Sequence, residues 1–147
     1  MQIGVEISRA VENKRIFVIE DDEIVRSALQ FMLHDENETH EIASLEQAYE
    51  KAIEWKPDLI LLGLGIVEAK GVEVLEEITT RLPDAKILVV APSDADPLAL
   101  ECTKAGAKGI VAKPLTIEKV RYKVDVALGR IRGPMIPLNV LQPIAKT

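Results

Sequence analysis

The sequence has one cysteine, few aromatic residues and no long apolar run, and each scarcity excludes something. Cys102 cannot form an internal disulfide, and its place in an apolar helical pattern predicts a core residue rather than a reactive thiol. No apolar run approaches the ~18 residues of a membrane-spanning helix. No signal-peptide pattern is visible at the N-terminus, so we expect a cytoplasmic protein without membrane contact.

Positive charge is also scarce, since 18 Lys and Arg stand against 24 Asp and Glu, a net charge of -6. Binding to a phosphate backbone needs a basic face, and the 3% of aromatic residues provide no aromatic-rich basic patch. Gly63-Leu-Gly65 lacks the third glycine of a dinucleotide loop, and no nucleophile elbow is present. We therefore expect no nucleic-acid partner, no required cofactor and no enzyme activity.

The sequence does contain a regular alternation of strand-like and helix-like patterns. Each apolar run is followed by apolar residues at spacings of three and four, and Ser44-Leu-Glu-Gln47 and Asp96-Pro97 are typical helix starts. The apolar, strand-like runs are 15–19, 58–62, 86–90 and 109–112, and the short stretch 39–42 could be a second strand. Five strand–helix units with short connections predict one doubly wound α/β domain with a parallel sheet, and 147 residues suffice for its core.

In such sheets the functional crevice lies outside the carboxyl ends of the strands. An acidic pair, Glu20 and Asp21, follows the first strand, and Lys113-Pro114 follows the fifth. The run Lys-Pro-Asp-Leu-Ile-Leu-Leu at 56–62 forms the third strand. In this order and spacing, the three motifs resemble the receiver domain of bacterial two-component response regulators.

The resemblance covers roughly residues 14 to 130. It implies a flavodoxin-like (βα)5 sandwich with strand order 2-1-3-4-5, and it divides the chain into an N-terminal extension (1–13), a receiver-like domain (14–132) and an apolar, proline-containing tail (133–147). In receivers the face made by the fourth helix, the fifth strand and the fifth helix carries dimerisation and partner contacts. We therefore expect a protein partner, or a homodimer, at the corresponding face here.

The resemblance also implies where phosphoryl chemistry would take place, and three of those positions carry other residues. Receivers accept the phosphoryl group on an aspartate, with Mg²⁺ bound by that aspartate and the acidic pair; the aligned residue is Gly63, which has no nucleophile. The aligned hydroxyl residue is Ala91, whose methyl cannot donate a hydrogen bond, and the aligned switch aromatic is Ile110. The expected function is a phosphorylation-independent pseudo-receiver that acts through protein–protein contacts.

The retained polar residues allow two interpretations. Either Lys113 forms a salt bridge with Glu20 or Asp21 and Asp22 caps the first helix, or Glu20, Asp21 and the carbonyl of Gly65 bind Mg²⁺ weakly. A small pocket or an ordered water is expected beside Gly63, because glycine leaves the space of a side chain.

Two other functions remain open. One is a phosphoryl acceptor at Asp21, Asp22 or a nearby hydroxyl, although Ser93 and Thr116 are more typical of turns and caps. The other is a small-molecule sensor that uses the vacated crevice. His34 and His40 flank an acidic loop and are expected to be surface residues rather than metal ligands.

The two ends are less regular. Alternating Ile3, Val5 and Ile7 allow an edge strand, a contact with a neighbour or a frayed tail. The tail 133–147 contains three prolines that exclude a regular helix, and its apolar residues favour docking on the domain or on a partner.

Overall fold

The computed structural model describes residues 13–130, and the structural statements below concern this range. The strands are β1 (Arg15–Ile19), β2 (Glu38–Ile42), β3 (Leu59–Gly63), β4 (Lys86–Ala91) and β5 (Gly109–Ala112). The helices are α1 (Glu23–Leu33), α2 (Leu45–Ala52), α3 (Leu64–Lys70), α4 (Val74–Arg81), α5 (Pro97–Lys104) and α6 (Ile117–Ala127). Most of the N-terminal extension and the whole apolar tail lie outside the described residues.

All five strands are parallel and lie in the order β2-β1-β3-β4-β5. This confirms the doubly wound, flavodoxin-like architecture and its strand order. The register places Ile19 opposite both Ile42 and Leu62, and Ala91 opposite Ala112. The strands therefore end together, and the residues that follow them meet at one edge of the sheet.

The sheet is covered on both faces, which is why β3 is apolar throughout and buried over its whole length. On one face, α1 and α6 pack over Ile16, Leu61 and Val111. On the other face, α2, α3, α4 and α5 enclose Phe17 and Ile60 together with the buried thiol of Cys102. The prediction that Cys102 is a core residue is confirmed. Within the described range, no helix is both long and apolar enough to cross a membrane.

Several helix starts follow the polar residues predicted to cap them. The Asp22 carboxylate accepts hydrogen bonds from the backbone N–H groups of Ile24 and Val25 at the start of α1. Thr116 accepts from the N–H of Lys119 at the start of α6. Ser93 accepts from the N–H of Ala95 in the turn before α5. These contacts confirm the structural roles predicted for the three side chains.

Helix α3 is the main departure from the sequence prediction. It is a helix beyond the five strand–helix units that the sequence predicts. It begins directly at the end of β3, and Leu64 and Val67, which lie three residues apart, are both buried. It ends at Gly71, whose φ of 91° lies in the region that favours glycine. The predicted fourth and fifth helices are consequently α5 and α6 in the structure.

Ile24 and Ile53 belong to the apolar residues at helical spacing that follow the first and second strands, which predicts core positions, but both point into solvent. Ile24 is 81% exposed because it belongs to the first turn of α1, on the side away from the sheet, and Ile53 is 80% exposed because α2 ends one residue before it. The periodicity identified these helices correctly, but it assigned these two side chains to the wrong surface.

Candidate functional site

The carboxyl edge of the sheet brings together the predicted site residues. Glu20 directly follows β1, and its N–H donates to the carbonyl of Ile42 at 3.1 Å. Gly63 is the last residue of β3. Lys113 follows β5, and its N–H donates to the carbonyl of Ala91 at 3.0 Å. Each position is thus fixed by the strand ladder rather than by a long loop.

The Glu20 side chain turns inward and is only 6% exposed. Its Oε2 accepts a hydrogen bond from the N–H of Asp22 at 3.0 Å. A Cβ atom added to Gly63 would lie 2.6 Å from the Glu20 Cδ and 2.9 Å from its Oε2. The expected small pocket beside Gly63 is therefore wrong, because the carboxylate of Glu20 takes that space.

Burial raises the pKa of the Glu20 carboxyl above its usual range, and the neighbouring carboxylate of Asp21 adds to the increase. The N–H of Asp22 and the positive charge of Lys113 act in the opposite direction but do not cancel it. The inward position of Glu20 consequently favours its neutral form more than an exposed position would.

Asp21 lies against the next residue of the predicted cluster, Gly65. A Cβ atom added to Gly65 would meet the two carboxylate oxygens of Asp21 at 3.2 and 3.3 Å. Glu20, Asp21 and the β3–α3 junction are thus brought together as predicted. Over residues 13–130, however, no group of three or more His, Cys, Asp or Glu side chains is arranged to hold a metal. Two carboxylates leave most positions around Mg²⁺ to water, so weak binding stays a prediction.

Lys113 does not form the predicted salt bridge. Its side chain is exposed, and within the described part of the chain no ion pair joins it to Glu20 or Asp21. The cation that sequence reasoning missed is Arg26, which donates to the backbone carbonyl of Glu20 at 2.6 Å and pairs with Glu41 at 3.6 Å. Its signal in the sequence is a lone basic residue one turn into the helix that follows the acidic pair.

The two remaining residues of the predicted site are apolar and buried away from solvent. Ala91 is buried at the end of β4 and Ile110 is buried in β5, and both belong to the core on the α2–α5 face. Ala91 can only pack, and the branched side chain of Ile110 is fixed among its neighbours.

The histidines lie away from this edge, each beside an acidic residue of its own segment. His40 Nε2 lies 2.8 Å from the Glu38 carboxylate, and His34 Nε2 lies 3.3 Å from that of Asp35.

The parallel doubly wound sheet, with an acidic pair and a lysine at its carboxyl edge, defines a receiver-type signalling domain. The family model of the response regulator receiver domain matches residues 16–125, and the chain belongs to this family. The resemblance found in the sequence is thereby confirmed at the level of the family.

Individual proteins are also similar to this chain over most of its length. The chain is 29% identical to the chemotaxis protein CheY of Thermotoga maritima over 111 residues, 73% of this chain and 91% of that protein. It is 28% identical to the DNA-binding transcriptional activator DevR/DosR of Mycobacterium tuberculosis over 120 residues, 79% of this chain and 55% of that protein. The chain spans about half the length of the curated transcriptional regulators that it matches. A response regulator structure from Thermotoga maritima superposes with a TM-score of 0.72 at 19% identity, over 80% of this chain and 98% of that one, which shows a shared fold.

Proposed function

We propose that this receiver domain is a signalling adaptor that acts through protein–protein contacts without a phosphoryl switch and without enzyme activity. The observation that carries this proposal is the contact between Glu20 and Gly63. A phosphoacceptor aspartate at the end of β3 would need its Cβ where the Glu20 carboxylate lies.

The chemistry of the crevice supports the same conclusion. Gly63 offers no oxygen nucleophile, and a phosphodonor that approached it would meet the carboxyl groups of Glu20 and Asp21 instead. Ala91 cannot donate a hydrogen bond to a phosphoryl oxygen. Ile110 is buried and lacks the ring and hydroxyl with which a receiver of this family is expected to respond.

A replacement acceptor is the competing hypothesis. Asp22 and Thr116 are engaged as helix caps, and Ser93 closes a turn. Asp21 is exposed, caps no helix and lies beside Gly65, so it is the carboxylate to examine first.

The expected output surface is the face made by α5, β5 and α6. Leu100 on α5, and Tyr122 and Val126 on α6, are large apolar side chains that are exposed there. Tyr122 and Val126 lie one helical turn apart and share one side of α6. Such a surface fits a protein partner or a second copy of the chain.

Intact mass spectrometry after incubation with Mg²⁺ and acetyl phosphate tests the proposal, with an ordinary receiver such as CheY as the positive control. We expect no adduct under conditions that label the control. An adduct that disappears in Asp21→Asn would establish a replacement acceptor and overturn the proposal. Asp84→Asn is the matched control, because Asp84 is exposed in the turn between α4 and β4.

A further inference from the structure

A groove runs along the free edge of the sheet, between β2 and the end of α2. Its volume is about 520 Å³, and its lining includes Glu41, Glu50, Ile53, Glu54 and Trp55. Ile53 is 80% exposed and Trp55 is 45% exposed. We call this the edge groove. It reaches the carboxyl edge of the sheet only at Ile42, the last residue of β2, and no residue of α5, β5 or α6 lines it.

The edge groove is acidic. Glu41, Glu50 and Glu54 line it together with one basic residue, Lys51. Glu41 is paired with Arg26, whereas Glu50 and Glu54 form no ion pair with another residue of 13–130. The Trp55 ring already carries a cation, because the Arg15 guanidinium lies 5.2 Å from its centroid. The groove thus presents carboxylates beside an apolar platform.

Among residues 13–130, no strand pairs with the outer edge of β2. The N–H of Glu38 donates to the carbonyl of Lys14 at 2.9 Å, and the carbonyl of Ile42 accepts from Glu20 at 3.1 Å, so both residues face β1. Main-chain groups alternate along a strand. Thr39 and Glu41 therefore direct their N–H and C=O groups away from β1, toward the open edge.

We propose that the edge groove binds an extended segment of a partner protein that carries basic (Lys or Arg) and aliphatic side chains together on the face turned toward α2, that is, at every second residue. The segment adds a strand by pairing with Thr39 and Glu41. Its aliphatic side chains pack on Ile53 and Trp55, and its basic side chains face Glu50 and Glu54. A second copy of the chain is a poor occupant, because its own edge groove is acidic and like charges repel. The inference does not depend on what occurs at Gly63.

Trp55 is the only tryptophan of the chain, so its fluorescence reports on the edge groove directly. The probe is the synthetic hexapeptide Lys-Thr-Val-Thr-Lys-Thr, in which lysine and valine lie on the same face of an extended strand, titrated into the full chain. We expect a saturable shift of Trp55 emission to shorter wavelength as the ring loses contact with water. The double variant Glu50→Lys/Glu54→Lys should raise the Kd about tenfold, because two exposed charge pairs become repulsive.

The controls separate this site from general attraction to an acidic protein. Glu101→Lys/Glu118→Lys changes the net charge equally at exposed positions on α5 and α6, and it should leave the Kd within about twofold. A peptide with glutamate in place of lysine should not bind, and an N-methylated peptide, which cannot donate main-chain hydrogen bonds, should bind much more weakly. The proposal is overturned if Trp55 does not respond, if either control peptide binds equally, or if both double variants weaken binding alike. Circular dichroism verifies that each variant is folded.

Discussion

The carboxylate of Glu20 and the Cα atom of Gly63 are in direct contact across the ends of β1 and β3. A Cβ added to Gly63 would lie 2.6 Å from the Glu20 Cδ, closer than non-bonded carbon atoms approach. The backbone of Gly63 is ordinary extended chain, with φ -67° and ψ 139°, so a larger residue at this position would conflict with the Glu20 side chain and not with the backbone conformation.

The first prediction concerns this contact. Gly63→Ala should lower the free energy of unfolding by about 1–3 kcal/mol, because the new methyl overlaps the Glu20 carboxylate in a closed site. Glu20→Ala in the same chain should recover most of the loss, and urea denaturation of the two single variants and the double variant measures the coupling.

Gly65→Ala is the matched control for that pair. Its methyl would meet Asp21 at 3.2 Å, but Asp21 is exposed and free to turn away, and alanine is favoured within α3. We expect no loss of stability. A loss equal to that of Gly63→Ala would show that overlap with Glu20 is not the cause.

The second prediction is that Gly63→Asp alone does not create a switch. The new aspartate would overlap Glu20, and Ala91 would still lack a hydroxyl. Intact mass spectrometry after incubation with acetyl phosphate and Mg²⁺ measures the labelling. We expect labelling only when Gly63→Asp is combined with Glu20→Asp, and we expect activation only when Ala91→Thr is added. Full, Mg²⁺-dependent switching by the single variant would contradict this expectation.

The third prediction follows from the raised pKa of Glu20. Between the pKa of an unfolded glutamate and the higher pKa of the folded state, the folded chain binds more protons, so the contribution of Glu20 to stability falls as pH rises through that window. Glu20→Gln keeps the neutral form and should be more stable than the parent at neutral pH. Urea midpoints across the pH range measure the difference, which should close below the unfolded pKa; an equal difference at all pH values would exclude titration of Glu20 as its cause.

The fourth prediction concerns Glu38, whose pKa is lowered by folding, so its effect on stability changes with pH in the opposite direction. Hydrogen bonds from Arg15 and His40 lower the pKa of Glu38 from 4.5 to about 2. The contribution of Glu38 to the free energy of unfolding is therefore fully present above about pH 4.5, and it is lost as the pH falls toward 2. Because Glu38 is partly exposed, Glu38→Gln should cost no more than about 1 kcal/mol at neutral pH, and it should flatten the acid side of the stability curve. Glu68→Gln, at an exposed position on α3, is the control.

The fifth prediction concerns Cys102. Burial raises the pKa of its thiol, so little thiolate forms near neutral pH and the sulfur is closed to solvent. A thiol reagent should label the native protein slowly and the urea-unfolded protein quickly. Rapid labelling of the folded chain would place Cys102 outside the core.

Strands β1, β3, β4 and β5 could be predicted from sequence because each is an apolar run, whereas β2 is mostly polar and gives a weaker signal. The order of the strands followed from the family. Helix α3 could not be predicted, since it is short and lies between two glycines that indicate a loop. The cluster at the carboxyl edge was predicted from residue order along the strands. The inward turn of Glu20 was not predicted, because it depends on the space that Gly63 leaves on another strand. That the Lys113 side chain forms no ion pair with Glu20 or Asp21 was not predicted either, because it depends on side-chain reach.

Gly63 and Glu20 also restrict each other's substitution. While the Glu20 carboxylate occupies the space in which a side chain at position 63 would begin, any residue larger than glycine there requires that carboxylate to move. If the proposed function is correct, an aspartate at position 63 would therefore need a shorter residue at position 20. We expect the two positions to tolerate change together rather than one at a time.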